Sequence, residues 1–62
     1  MDSENINKLN IKPNQKIKLI FDDNYTPTGY FVKNTEKNIE IMTEKNFRLF
    51  SRLNIIKNIE LV

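Results

Sequence analysis

The chain contains no cysteine and no histidine among its 62 residues. Without cysteine there is neither a disulfide nor a thiolate metal site. Without histidine it lacks the commonest metal ligand and the commonest general base. No apolar run approaches the roughly 18 residues that a membrane span needs. The opening Met1, Asp2, Ser3, Glu4 and Asn5 are polar and acidic. They offer neither the basic nor the apolar region of a secretory leader. These absences set the expectation of a cytoplasmic protein with no membrane contact, no metal and no cofactor.

What remains is a small domain under tight constraints. A chain of this length buries only about 60% of its unfolded surface, so its core is small. Ordering costs about 1.5 kcal/mol per residue, which nearly cancels the gain from burial. With disulfides and metal excluded, self-association is the remaining way to add stability. Ten basic residues against eight acidic ones give a net charge of +2 and a pI near 9.0. That bias is mild for a nucleic-acid binder. Asn, Ile and Lys are abundant and alanine is missing. This is the signature of an AT-rich genome, and it lowers the information carried by any single exposed Lys or Asn.

Residues 1–10 are polar apart from Ile6 and Leu9 in the middle and Met1 at the start. The three-residue spacing of Ile6 and Leu9 puts them on one side of a helical turn, which Asp2 or Ser3 would cap. The same stretch also reads as a frayed tail. Pro13 and Asn14 then suit the two central positions of a turn. From Lys16 the chain alternates: Ile17, Leu19 and Phe21 face one way, Lys16 and Lys18 the other. That is the period of a half-buried strand. Asp22, Asp23 and Pro27 fall in a polar loop. Gly29, the only glycine, opens a second strand over 29–33, where glycine marks a bulge, a bend or a close backbone approach. A turn over 34–38 leads to a third strand at 39–43. Glu44, Lys45 and Asn46 form a connection of hairpin length before a fourth strand at 47–50. Ser51 and Asn54 favour turns, so residues 51–54 read as one 3₁₀ turn before a fifth strand at 57–62.

Five short, closely spaced strands with turn signals between them indicate an all-β barrel or sandwich. So few residues leave room for one shared interior, which favours a five-stranded small barrel over residues 13–62, preceded by a tail or short helix over 1–12. The expected interior is Ile17, Leu19, Phe21, Phe31, Ile39, Ile41, Phe47, Leu49, Ile56, Ile59 and Leu61.

This order of parts resembles the Src-homology-3-type small barrels and, among them, the Sm-like family. Gly29 with Phe31 two residues later is similar to the start of that family's first motif, and the turn over 34–38 ends, as theirs does, in Asn. Arg52 with Asn54, Ile55 and Ile56 is similar to the second motif. Leu53 stands where the family has glycine, Thr35 where it has aspartate, and the Arg-to-Asn spacing is one residue shorter. The resemblance implies RNA bound by the turn before the third strand and the turn before the last strand. Carried over by position, those residues are Asn34, Lys37, Asn38, Arg52 and Asn54. Arginine can stack on a base or fork onto phosphate, and asparagine can read a base edge. The plainer reading is that Asn34 and Asn38 shape a turn and Arg52 is a solvated charge.

Other features point outward. Lys16, Lys18 and Lys33 with Tyr30 would line one outer face, the footprint of a single-strand binder, although lysine also protects exposed sheet surface. Tyr25, Tyr30 and Phe50 sit at loops or outward positions, where exposed aromatics mark partner interfaces. Asp22 and Asp23, as sequence neighbours, point to opposite faces and form no acid–base pair, and Ser51 has no base. The expected function is therefore non-catalytic binding of RNA or single-stranded nucleic acid, by the single chain or by a homo-oligomer; stand-alone barrels of this size occur in bacterial and mobile-element genomes. The alternative is a small regulator or inhibitor that docks on a larger protein through a sheet edge and exposed aromatics.

Overall fold

The computed structural model describes all residues, Met1–Val62. The first element is a helix, α1, at Ser3–Leu9. Asp2 caps it: its Oδ1 accepts the Asn5 N–H at 2.9 Å, satisfying one of the amides that a helix start leaves unpaired. Asn10 ends it in the left-handed region, with its N–H donating to the Asn7 carbonyl. Residues 2–10 are thus a helix and its caps, not a frayed tail. Pro13 and Asn14 (φ 69) make the next turn, closed by the Gln15 N–H on the Lys12 carbonyl at 3.0 Å. Proline followed by a positive-φ residue is the type II pattern.

Five strands follow: β1 (Lys16–Phe21), β2 (Thr28–Asn34), β3 (Asn38–Thr43), β4 (Arg48–Arg52) and, after a 3₁₀ turn at Leu53–Ile55, β5 (Ile56–Leu61). They form one antiparallel sheet in the order β4-β3-β2-β1-β5. The hairpins β1–β2 and β3–β4 use the same local wiring. Asn24 donates to Phe21 and Phe21 to Tyr25; Asn46 donates to Thr43 and Thr43 to Phe47, all at 2.9 Å. Asn24 and Asn46 each have φ near +70° (70 and 66), as the last residue of a three-residue hairpin connection requires. Gly29 has no positive φ. A Cβ there would lie 2.4 Å from the Met42 carbonyl oxygen, so glycine is required by the close approach of β3.

The core unites Ile17, Leu19, Phe21, Phe31, Ile39, Ile41, Ile56 and Ile59 from the strands with Ile6 from α1 and Leu53 from the 3₁₀ turn. Four expectations need correction. The sheet is not closed into a barrel: β4 and β5 are its two edges and do not pair. Ile6, 1% exposed, supplies from the helix an apolar side chain that a closed barrel would draw from its strands. Phe47 and Leu61 are half exposed, at 50% and 48%. Phe47 closes a hairpin turn, its backbone held by the Thr43 hydroxyl, with its ring outside. Leu61 pairs with Ile17 at the end of an edge strand, where no further strand covers it. Ser51 and Arg52 belong to β4, paired with Ile39 and Asn38, and the 3₁₀ turn begins only at Leu53. No helix is long and apolar enough to cross a membrane.

Candidate functional site

The turn between β2 and β3 is built by Thr35. Its N–H donates to the Asn38 carbonyl at 2.8 Å, and its hydroxyl accepts the Asn38 N–H at 3.2 Å. This leaves the Lys37 carbonyl free to accept the Leu53 N–H at 2.8 Å, which ties the turn to the start of the 3₁₀ element. The other side of that element is tied as well, since the Asp22 N–H donates to the Ile55 carbonyl at 3.0 Å. Asn38 and Arg52 are cross-strand partners. Lys37, Asn38, Arg52 and Asn54 therefore come together as walls of one open groove of about 550 Å³, with Met1, Asp2, Glu36 and Leu53.

Four of the five residues singled out for nucleic-acid binding line this groove. Asn34 does not; it ends β2, with its side-chain amide 3.5 Å from the Thr35 carbonyl. The Met1 ammonium donates to the carbonyls of Leu53 and Ile56, each at 3.0 Å, so the start of the chain forms a wall of the groove. Charge inside is mixed: Lys37, Arg52 and the Met1 ammonium against Asp2 and Glu36. The three ion pairs of the molecule use none of these side chains, so Lys37 and Arg52 are free to meet an anionic ligand. No aromatic residue lines the groove.

The aromatics expected at a partner interface are not all together. Tyr25 stacks on Phe21, with ring centroids 5.6 Å apart and planes 18° from parallel. It belongs to the β1–β2 loop. Tyr30 and Phe50 share the outer face of the sheet, at 40% and 62% exposure. The lysines of that face are not equivalent. Lys16 Nζ lies 2.9 Å from Glu44 and Lys18 Nζ 3.7 Å from Glu60, so β1 offers little uncompensated charge; Lys33 is unpaired. The hydrogen bond and charge of Glu44, with a smaller part from Tyr30, raise the Lys16 pKa above its ordinary value against a small opposing effect of desolvation.

Two residues of this face lie outside the expected set. Glu40 is a buried carboxylate on β3, 7% exposed, between Lys33 and Phe50 in register. Arg48 Nη1 stands 3.1 Å from its Oε2, yet that oxygen receives no well-aligned hydrogen bond. The contact is a charge pairing without a directed N–H. The signal for it lies in the alternation of Arg48, Phe50 and Arg52, which places all three on one face of a strand. His/Cys/Asp/Glu clusters able to hold a metal are absent. No protein-family model, curated protein or solved structure matches the chain, so the groove and the outer face are read from their own chemistry.

Proposed function

We propose that the chain is a non-catalytic binder of RNA or single-stranded nucleic acid, and that the groove between the β2–β3 turn and the β4–3₁₀ junction is its site. One observation carries the reading: Lys37, Asn38, Arg52 and Asn54, drawn from two separate stretches of sequence, line one concavity. Two unpaired cations beside two side-chain amides match a phosphate flanked by a base edge. Kinship with the Sm-like barrels is part of the proposal. It is supported by the order of the elements, a helix, four strands, a 3₁₀ turn and a last strand.

Fluorescence polarisation with a labelled mixed-sequence RNA, measured across a salt series, tests the reading. Each phosphate contact on a single strand contributes about 0.7 to the slope of log K against log salt. The double substitution Lys37→Ala with Arg52→Ala is expected to weaken binding and flatten that slope by about 1.4. An unchanged slope means that the groove is not the site.

The second reading, docking on a larger protein or on a further copy of the chain, is favoured by the open sheet. Both β4 and β5 present an unpaired edge, which another strand could extend. A stoichiometric protein partner, recovered in the absence of any nucleic-acid binding, would select it.

A further inference from the structure

The outer face of β2, β3 and β4 is organised in three rows across the sheet. Tyr30, Met42 and Arg48 form the first, Lys33, Glu40 and Phe50 the second, and Asn38 and Arg52 the third. Arg48, Phe50 and Arg52 alternate along β4, so successive members lie roughly 7 Å apart. The third row is shared with the groove, since Asn38 and Arg52 also line it. Groove and face are therefore continuous.

The charge of this face is one-sided where solvent sees it. Its only carboxylate, Glu40, is buried and compensated by Arg48, whose side chain remains 68% exposed. Burying a carboxylate is costly unless it is paired, and a merely solvated sheet face has no need of one. Here its charge draws Nη1 of Arg48 toward the cross-strand partner of Phe50 while leaving most of the guanidinium's donors free. Arg48, Arg52 and Lys33 thus stand around two exposed aromatic rings; the exposed carboxylate of Glu44 is taken up by Lys16, the cross-strand partner of Tyr30, and Asp2 and Glu36 belong to the groove. Complementarity favours a polyanion that carries flat apolar groups.

We propose that this face is the base-stacking half of the nucleic-acid site: a single strand leaves the groove at Arg52 and crosses the sheet, with bases on Phe50 and Tyr30 and phosphates on Arg48 and Lys33. The proposal rests on the nucleic-acid reading of the groove and supplies what the groove lacks, an aromatic surface. Stacking on an aromatic side chain tolerates any base, because every base has a π-face.

The test uses the full chain, a labelled mixed-sequence 15-nucleotide RNA and an abasic oligomer of equal length and charge. Phe50 is mostly exposed, so Phe50→Ala should fold, which circular dichroism checks. The variant is expected to lose roughly tenfold in affinity for the RNA, with the salt slope unchanged and no loss for the abasic oligomer. In a Tyr25→Phe background, Tyr30 is the only tyrosine, and its fluorescence should be quenched in step with RNA binding. Wild-type affinity in Phe50→Ala together with unquenched Tyr30 overturns the stacking face; if Lys37→Ala with Arg52→Ala still weakens binding and flattens the salt slope, the groove survives alone. Equal wild-type affinity for RNA and abasic oligomer overturns it too. Absence of wild-type binding to either probe at low salt overturns both this proposal and the groove reading, and leaves a protein partner.

Discussion

At the scale of single residues, asparagine and glycine divide the backbone work in an unusual way. All four positive-φ residues are asparagines: Asn10, Asn14, Asn24 and Asn46. Asparagine tolerates the left-handed region because its short amide can bond locally. The one glycine is thereby released for a different task, the contact of β2 with β3. The Cβ of an alanine at Gly29 would meet the Met42 carbonyl oxygen at 2.4 Å, and the Met42 carbonyl carbon and Thr43 Cα at 3.0 Å. All three are backbone atoms, so no side-chain rotation relieves the clash and the two strands must move apart. Gly29→Ala is expected to cost about 3 kcal/mol, the upper part of the range for overpacking. Urea denaturation followed by circular dichroism measures it, and a midpoint equal to wild type would show that the strands separate there without strain. Sequence alone leaves glycine three roles in a strand; only the register with Met42 and Thr43 selects one.

At the scale of elements, legibility follows the strength of the local signal. The alternation of Ile17, Leu19 and Phe21 makes β1 plain, and the Glu44–Lys45–Asn46 turn follows from its length. The end of β4 is hidden. Ser51 and Arg52 carry turn-forming and charged side chains, yet pairing with Ile39 and Asn38 holds them in the sheet, and long-range pairing outweighs local preference. That error separates Arg52 from Phe50 and Arg48, and with it goes the shared face. The helix shows the opposite case, since spacing and caps are legible but burial is not. Ile6 is 1% exposed within the core cluster, so α1 is a structural part of the domain. Ile6→Ala is expected to cost about 2–5 kcal/mol, comparable with the whole stability of so small a domain. Thermal unfolding would check this. A melting curve unchanged by Ile6→Ala would mean that the sheet holds its core without the helix.

At the scale of the whole molecule, the alternation pattern defines an inner and an outer face but not whether the edges meet. Closure depends on how β4 and β5 approach each other, and no residue pattern encodes that directly. In the open sheet, contacts that reach across several strands gain weight. The ion pair of Lys16 on β1 with Glu44 in the β3–β4 turn is one of them. It connects elements that are not neighbours in the strand order. Because Glu44 raises the Lys16 pKa above its ordinary 10.5, the folded chain holds the Lys16 proton more tightly than the unfolded chain does. By linkage, the stabilisation is complete below about pH 10.5, where Lys16 is charged in both states. It disappears as pH rises through the higher folded value, because the native state then releases the proton as well. Glu44→Gln removes the cause of the shift. The melting temperature of wild type is therefore expected to exceed that of Glu44→Gln at pH 8, and the gap is expected to close above pH 10.5. High salt should narrow the gap at pH 8, since both side chains are about half exposed and exposed pairs are screened. Every other ionisable group is common to the two proteins, so the difference isolates this pair. A gap that stays constant from pH 8 to pH 12 would show that Glu44 acts through the shape of its turn and not through the charge of Lys16.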